Sequence, residues 1–264
     1  MNKLVLYLFF VTSSCNTGNL KVIADLPNSL KEASAIEKVV NSNLLWTIED
    51  SGNKNNIYGL DVKGNIIKDI DIENSSNIDW EDLTSDEKGN LYIGDFGNNS
   101  KNRDDFTIYK VSNLDAEETH AERINFMLPK QSKPEDFEAF FLLKNDFYIF
   151  SKENKSTKLF KVPNQIGKHT AEFIAEFKLK GKNTNITSAD ISKNGKTIVL
   201  LNHDKIWKIS NFQEDNFFNG RIEMFKLNHN SQKEGICFKT NSKVYITDEK
   251  DKSEGGNLYE FKIE

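Results

Sequence analysis

The sequence predicts an all-β protein folded as a five-bladed β-propeller. A pair of short apolar strands recurs five times at intervals of about 45–55 residues, which is the period of stacked four-stranded units. Turns rich in Gly and Asn separate the strands, and the 19 Phe and 7 Tyr suit strands better than long helices. One strand is missing after the last unit, and one is left over before the first.

The repeat is clearest in the second and third strands of each unit. The second strands centre on Trp46, Tyr92, Tyr148, Val199 and Tyr245, and the third strands on Tyr58, Tyr109, Phe160, Trp207 and Tyr259. In the second unit, residues 81–83 begin the first strand, 86–90 form a turn, and 123–128 form the fourth strand. Other fourth strands are predicted at 66–72, 172–177 and 223–227. Four antiparallel strands per unit are the pattern of a propeller blade.

Ring closure is predicted between the two ends of the chain. The fifth unit ends at Glu264 without a fourth strand, whereas residues 20–26 alternate as a strand before the first unit. Pairing of 20–26 with the strand around 258–263 removes both open edges. Six blades are the alternative, but the sequence leaves no residues for a sixth. We therefore expect residues 20–264 to form a single propeller domain.

The N-terminus has the pattern of an export signal. Lys3 precedes an apolar run over residues 4–11, which is shorter than the ~20 residues that span a bilayer. Small residues then lead to Cys15, and this arrangement resembles a bacterial lipoprotein signal. The resemblance implies a signal over 1–14, a lipidated Cys15 and a tether over 15–19; an ordinary secretory signal is the alternative. We expect an exported protein of the cell envelope, held by its lipid at the outer membrane or the periplasmic face.

Charge and cysteine content exclude some functions. The chain has 40 acidic and 35 basic residues, and a pI near 5.6 gives no basic face for nucleic acid. Cys237 lies in an apolar stretch, where a lone thiol is more often packed than reactive.

Acidic residues are predicted to converge on one face of the propeller. The first strand of each blade starts on the face where the second strand ends, and the first strand lies nearest the channel. The candidate residues at this channel mouth are Glu81, Asp95, Glu138, Asp190, His203, Glu234 and Asp248. Crowded carboxylates repel one another and favour a bound cation, and oxygen ligands without Cys favour Ca²⁺ or Mg²⁺. Glu81, Asp95 and Glu138 are the candidate Ca²⁺ ligands; the alternative is that these acids only cap turns and join blades.

Three segments carry a resemblance to a known group of proteins. Residues 77–83, residues 91–99 and Arg103 with Ile108-Tyr109 resemble secreted or lipid-anchored bacterial β-propeller proteins without an assigned activity. The repeats are more loosely similar to phytase-like, gluconolactonase-like and NHL propellers. These resemblances imply a fold and a location outside the cytoplasm, but no reaction.

Two functions remain open at this point. The first is a binding module whose acidic mouth holds a divalent cation and recognises a small molecule, glycan or protein. The second is a metal-dependent hydrolase of phosphoesters, lactones or glycans, in which carboxylates hold the ion that activates water. The sequence has neither a Gly-x-Ser-x-Gly elbow nor a His-Glu-x-x-His pair, so the binding module is favoured and the question of enzyme activity stays open.

Overall fold

The structure is a computed structural model that describes residues 17–153, 155–252 and 254–264. The predicted signal over 1–14 and the lipidation site Cys15 lie outside the described residues, so both remain predictions. Within the described ranges, no helix combines the length and the hydropathy that crossing a membrane requires.

The described strands form five mainly antiparallel blade sheets around a central channel, and a separate two-stranded sheet. The chain enters through β1 (Lys21–Asp25), and blade 1 contains β2 (Leu45–Thr47), β3 (Asn56–Leu60) and β4 (Ile66–Ile72). Blade 2 contains β5 (Trp80–Ser85), β6 (Leu91–Asp95), β7 (Asp105–Val111) and, after the short β8 (Glu118–Thr119), β9 (Glu122–Met127). Blade 3 contains β10 (Phe137–Leu143), β11 (Asp146–Ser151), β12 (Thr157–Pro163) and, after β13 (Gly167–Thr170), β14 (Glu172–Phe177). Blade 4 contains β15 (Ser188–Ile191), β16 (Thr197–Leu201), β17 (Lys205–Ser210) and, after a short 3-10 helix (Phe217–Asn219), β18 (Arg221–Lys226). Blade 5 contains β19 (Lys233–Thr240), β20 (Lys243–Asp248) and, after the hairpin of β21 (Lys250–Asp251) and β22 (Glu254–Gly255), β23 (Asn257–Lys262).

The predicted closure and the five-bladed fold are confirmed. β1 pairs antiparallel with β23, with Lys21 opposite Glu260 and Asp25 opposite Asn257, and supplies the outermost strand of blade 5. In blade 1 the innermost position is taken by residues 33–37, which form only two isolated bridges to the second-strand segment. The ring therefore joins the first and last parts of the described chain in one sheet.

Burial follows the distance of each strand from the channel. The second strands are buried on both faces because neighbouring blades cover them, as all five residues of β6 show. The outer strands β4 and β18 alternate between exposed and more buried residues, since only one face touches the core. Between blades 2 and 3 the core is aromatic: Phe137 makes edge-to-face contacts with Phe96, Phe106 and Phe160.

In blades 2, 3 and 4, the connection between the third and fourth strands attaches the blade to the preceding one. β8 pairs in parallel with β4 of blade 1, and β13 pairs in parallel with β9 of blade 2. From blade 4, Phe217 packs edge-to-face against Phe141 and Tyr148 of blade 3. These contacts reinforce the interfaces between blades at the outer rim.

Three innermost strands carry an irregularity at their first residues. The register of β5, β10 and β19 shifts at Glu81, Glu138 and Glu234, so each glutamate is the extra residue of a β-bulge. A bulge re-aims the side chain of the inserted residue. The three bulges thus place three equivalent glutamates at the channel mouth, the end of the channel where innermost strands begin and second strands end.

Candidate functional site

Three carboxylates meet at the mouth between blades 1 and 2. Asp50 follows the second strand of blade 1, Asp79 immediately precedes β5, and Glu81 is the bulged residue of β5. One carboxylate oxygen from each lies within 4.8 Å of the others. We call Asp50, Asp79 and Glu81 the acidic triad; its spacing allows all three to contact a single cation.

Two neighbouring side chains fix the triad's backbone. The Asn77 side-chain amide donates to the carbonyl oxygens of Glu49 and Asp50, at 2.9 Å each, and so ties the two turns together. The amide of Asp79 donates to Asp95 Oδ1 at 3.1 Å. The triad is therefore held by hydrogen bonds that do not use its own carboxylates.

A glycine makes room for the triad. A Cβ atom at Gly97 would lie 2.0 Å from Glu81 Oε1 and 2.4 Å from Oδ2 of Asp79. The Gly97 carbonyl accepts a hydrogen bond from Arg103 Nη1 at 2.9 Å, and the same nitrogen donates to Asp95 Oδ1 at 3.1 Å. Arg103 thus holds the loop of Gly97 against the two carboxylates.

The triad carries an excess of negative charge. Burial raises the pKa of Glu81 well above its usual value, and the carboxylates of Glu138, Asp50 and Asp79 raise it further. Burial, followed by the charges of Asp79 and Glu234, raises the pKa of Asp50 to about 6. Both carboxyl groups are harder to ionise than they would be in water. A bound cation would favour their ionised forms and so lower both pKa values.

A lysine partly compensates the charge across the mouth. Lys152 Nζ lies 2.6 Å from Glu138 Oε1, and the Glu138 side chain is only 3% exposed. Burial raises the pKa of Glu138 to about 8; Lys152 opposes this rise, whereas Glu234 adds to it. Burial, Glu234 and Asp50 likewise raise the pKa of Glu249 to about 8. The charge of Glu234 therefore raises the pKa of carboxyl groups on both sides of the mouth.

A cavity of 530 Å³ opens beside these groups over blades 4 and 5. His203 contributes to its lining, and His203 Nε2 lies 3.0 Å from Glu234 Oε1. The His203 side chain is 48% exposed, whereas that of Glu234 is 11% exposed. A half-exposed imidazole oriented by a buried carboxylate is able to hold or transfer a proton.

Two buried lysines organise the loops around this cavity. Lys233 Nζ donates to the carbonyl oxygens of His203 and His229, at 2.9 and 3.1 Å. Lys205 Nζ donates to those of Lys182 and Asn183, at 2.8 and 3.1 Å. Burial lowers the pKa of Lys233 to about 8, against the opposing charges of nearby carboxylates. These ammonium groups serve as anchors between loops of neighbouring blades.

Below the mouth, Asp82 joins three blades. Its carboxylate accepts hydrogen bonds from the backbone amides of Phe140 and Ala189, at 3.1 and 3.2 Å, and from Ser188 Oγ at 2.9 Å. Asp82 is fully buried. Its position one residue deeper than Glu81, together with its full set of donors, indicates a role in assembly of the ring.

Asp190 lies deeper still, near Glu37. Its carboxylate accepts the amide of Phe238 at 2.6 Å, and burial raises its pKa to about 7. Burial and the charge of Asp190 raise the pKa of Glu37, whose Oε1 accepts a hydrogen bond from Ser85 at 2.5 Å. Within the channel, Asp190 therefore does not share the acidic triad's environment.

The remaining predicted residues divide between mouth and interior. Glu81, Glu138, Glu234 and His203 lie at the mouth. Asp95 and Asp248 are fully buried: Arg103 and the Asp79 amide bind Asp95, and Tyr259 Oη and the Asn257 amide, both at 2.8 Å, bind Asp248. The sequence places Asp50 and Glu249 near the ends of second strands on this face, although neither was chosen as a candidate ligand, and sequence reasoning did not single out Asp79, Lys152 or Lys233 as site residues. The density of acids over residues 79–82 was the available signal for Asp79.

Comparison with known proteins establishes the family. Residues 19–253 match the model of the SdiA-regulated family, so the chain belongs to that family. No curated protein is similar enough to count as a relative.

Solved structures support the fold. The chain is similar to the PQQ-bound aldose sugar dehydrogenase of Streptomyces coelicolor, with a TM-score of 0.52 and 8% identity over 92% of this chain and 97% of that one. It is similar to a gluconolactonase from Xanthomonas campestris, with a TM-score of 0.52 and 8% identity over 93% and 91% of the two chains. An inactive variant of virginiamycin B lyase from Staphylococcus aureus gives a TM-score of 0.46 and 15% identity over 89% and 67%. At such identities the likeness to the dehydrogenase and the gluconolactonase concerns the fold alone.

Proposed function

We propose that this member of the SdiA-regulated family is a cation-dependent binding module. Asp50, Asp79 and Glu81 hold a divalent cation at the channel mouth, and the cation helps to shape the surface that meets a ligand. A cation would neutralise the crowded carboxylates and keep the loops of blades 1 and 2 together.

The observation that carries this proposal is the state of Glu81. The residue is 6% exposed, and no hydrogen-bond donor or ion-pair partner reaches its carboxylate among the described residues. A largely buried carboxylate beside other carboxylates costs free energy, because it loses most of its hydration and the attraction of Lys152 is weaker than the repulsion from its neighbours. Its position within 4.8 Å of Asp50 and Asp79 supplies a common point for a cation.

Oxygen chemistry favours Ca²⁺. The three groups offer only carboxylate oxygens, which are hard ligands preferred by Ca²⁺ and Mg²⁺. Ca²⁺ accepts irregular geometry and more ligands than Mg²⁺, and a rim built from two turns and one bulge supplies its carboxylates irregularly.

Thermal unfolding with calcium and with a chelator tests the proposal. Glu81→Gln removes a buried, repelled charge, so without calcium the variant should be at least as stable as the wild type. With millimolar calcium the wild type should gain melting temperature, whereas Glu81→Gln and Asp79→Asn should gain little.

Glu87→Gln is the matched control, since it removes one charge from an exposed turn outside the mouth. It should respond to calcium as the wild type does. Two results would contradict the cation site: a wild-type melting temperature that calcium does not change, or a Glu81→Gln variant that is less stable than the wild type in chelator. Either result would mean that Glu81 serves the fold and not a cation.

A metal-dependent hydrolase is the second candidate. The observation in its favour is the 3.0 Å contact between His203 Nε2 and Glu234 Oε1 at the wall of the cavity. In this candidate His203 is the general base for a water molecule near the cation. Turnover of a phosphoester, lactone or glycan panel that requires calcium and disappears in His203→Gln would select it; no turnover leaves the binding module.

We also propose that the protein works in the cell envelope as a lipoprotein. The support is the sequence pattern before Cys15, namely a basic residue, a short apolar run and small residues. Lipidation at Cys15 would place the propeller close to a membrane surface.

A further inference from the structure

The cavity over blades 4 and 5 has the size of a small-molecule site. Its volume of 530 Å³ lies within the range of roughly 300–1,000 Å³ that is typical of ligand pockets. Its walls come from five loops of blades 3, 4 and 5 and include residues of both the channel mouth and the β21–β22 hairpin. Lys205 and Lys233 fix three of these loops through buried ammonium groups, so the part of the wall that carries the asparagines is preorganised.

Amide groups in this cavity are available to a ligand. Asn183, Asn185 and Asn230 line it, and their side-chain amides have no hydrogen bond to any described residue. By contrast, the Asn202 side chain is occupied, since its Oδ1 accepts the backbone amides of Asp204 and Lys205. An amide offers a donor and an acceptor at once, which matches hydroxyl groups because a hydroxyl does the same.

The charge of the lining excludes anions. Glu249, Asp251 and Glu254 contribute carboxylates, and Lys152, the one lysine in the lining, is engaged by Glu138. Asp251 and Glu254 are exposed and have no ion-pair partner among the described residues. A ligand with an ammonium group would meet these acids, whereas a phosphate or carboxylate would be repelled.

We propose that this cavity binds a hydroxyl-rich ligand carrying a primary ammonium group, the chemistry of an amino sugar. The free amides recognise the hydroxyl groups, and the acids on the β21–β22 hairpin recognise the ammonium group. The inference rests on the proposed role of the mouth as a binding surface; it does not require the cation.

A series of disaccharides with one ring skeleton tests the proposal. The probes are the β-1,4-linked dimer of glucosamine, its N-acetylated form and cellobiose, with putrescine as an amine without hydroxyls. Calorimetry on the whole protein should show the glucosamine dimer binding about tenfold more tightly than cellobiose, and putrescine binding more weakly than the dimer. Asp251→Asn with Glu254→Gln should abolish the preference for the amine, whereas Glu87→Gln should leave it unchanged.

Equal affinity for the glucosamine dimer and cellobiose, putrescine binding as tightly as the dimer, or no binding of any sugar would overturn the proposal. Each titration is run with calcium and with chelator, beside the thermal shift in calcium. Amine preference without a calcium shift would refute only the cation site, and a calcium shift without amine preference would refute only this inference.

Discussion

Gly97 provides a steric test of the cation site that leaves every carboxylate in place. Gly97 does not have a left-handed backbone conformation, so Gly97→Ala adds only a methyl group. That methyl carbon would lie 2.0 Å from Glu81 Oε1 and 2.4 Å from Asp79 Oδ2. To reach an ordinary contact distance, the Glu81 oxygen must retreat by about 1 Å or more.

This displacement is large compared with the tolerance of a cation site. Ca²⁺ binds oxygens at roughly 2.3–2.6 Å, so a shift of about 1 Å removes at least one ligand. We expect a Kd at least about tenfold higher. At a calcium concentration about a hundredfold above the wild-type Kd, calcium raises the free energy of unfolding by about 2.7 kcal/mol in the wild type and by about 1.4 kcal/mol in Gly97→Ala. For a domain of this size, that difference lowers the melting temperature in calcium by about 3–5 °C.

Calorimetric melting in calcium and in chelator separates this effect from a general packing defect. The control is Gly59→Ala in blade 1, whose Cβ would meet Leu44 Cδ1 at 2.9 Å, away from the triad. Gly59→Ala should change both melting temperatures equally, whereas Gly97→Ala should lower the calcium increment. A full wild-type increment in Gly97→Ala would refute the reasoning, because the triad could not then be the cation site.

Three further predictions concern the ring, the channel and the anchor. Asp82→Ala leaves four buried donors without this acceptor, so urea unfolding should show a loss of about 3–6 kcal/mol, against little change for the exposed Asp69→Ala. The pKa of Asp190 is raised to about 7, so its contribution to stability is present at low pH and is lost as pH rises through that value. Glu37→Gln removes a second carboxyl group whose pKa is raised, so the melting temperature of the variant should fall less than that of the wild type between about pH 4 and 8. An equally steep fall in the variant would contradict the charge argument. Cys15→Ala should move the protein from the membrane to the soluble fraction, and unmodified Cys15 in membrane-extracted protein would contradict lipidation.

The blade count was predictable because it depends on local patterns. Fourth strands at 66–72 and 172–177 coincide with β4 and β14, since apolar alternation bounded by turns depends only on nearby residues. Closure by residues 20–26 followed from counting strands, and β1 confirms it. The parallel strands β8 and β13 were not predicted, because each is two to four residues long and pairs with another blade. Their pairing is a tertiary effect without a local signal.

The site was only partly predictable, since depth along the channel depends on register. A one-residue bulge directs Glu81 to the mouth, while its neighbour Asp82 lies inside the ring. Asp190 follows the start of β15 by two residues and lies deeper than Glu234. Strand direction predicts a shared face, but bulges decide which acids reach it. The sequence did not indicate Lys152 as a site residue, because the adjacent Glu153 supplies the acidic residue that the repeat predicts at the end of a second strand.

The two proposed sites lie where the fivefold repeat is broken. Blades 2, 3 and 5 start their innermost strands with a bulged glutamate, whereas Ser34 and Thr187 stand near the corresponding points of blades 1 and 4. Both hydroxyl groups donate a hydrogen bond to the next blade. Ser34 donates to the Trp80 carbonyl at 3.0 Å and Thr187 to the Lys233 carbonyl at 2.7 Å, and each of these carbonyls belongs to the residue before the bulged glutamate. A short side chain there leaves space that a glutamate would fill. The acidic triad lies between blades 1 and 2, and the cavity lies over blades 4 and 5, so each site adjoins one of these short residues. Asymmetry at two equivalent positions would thus give a repetitive scaffold the two chemically different sites that we propose at a single mouth.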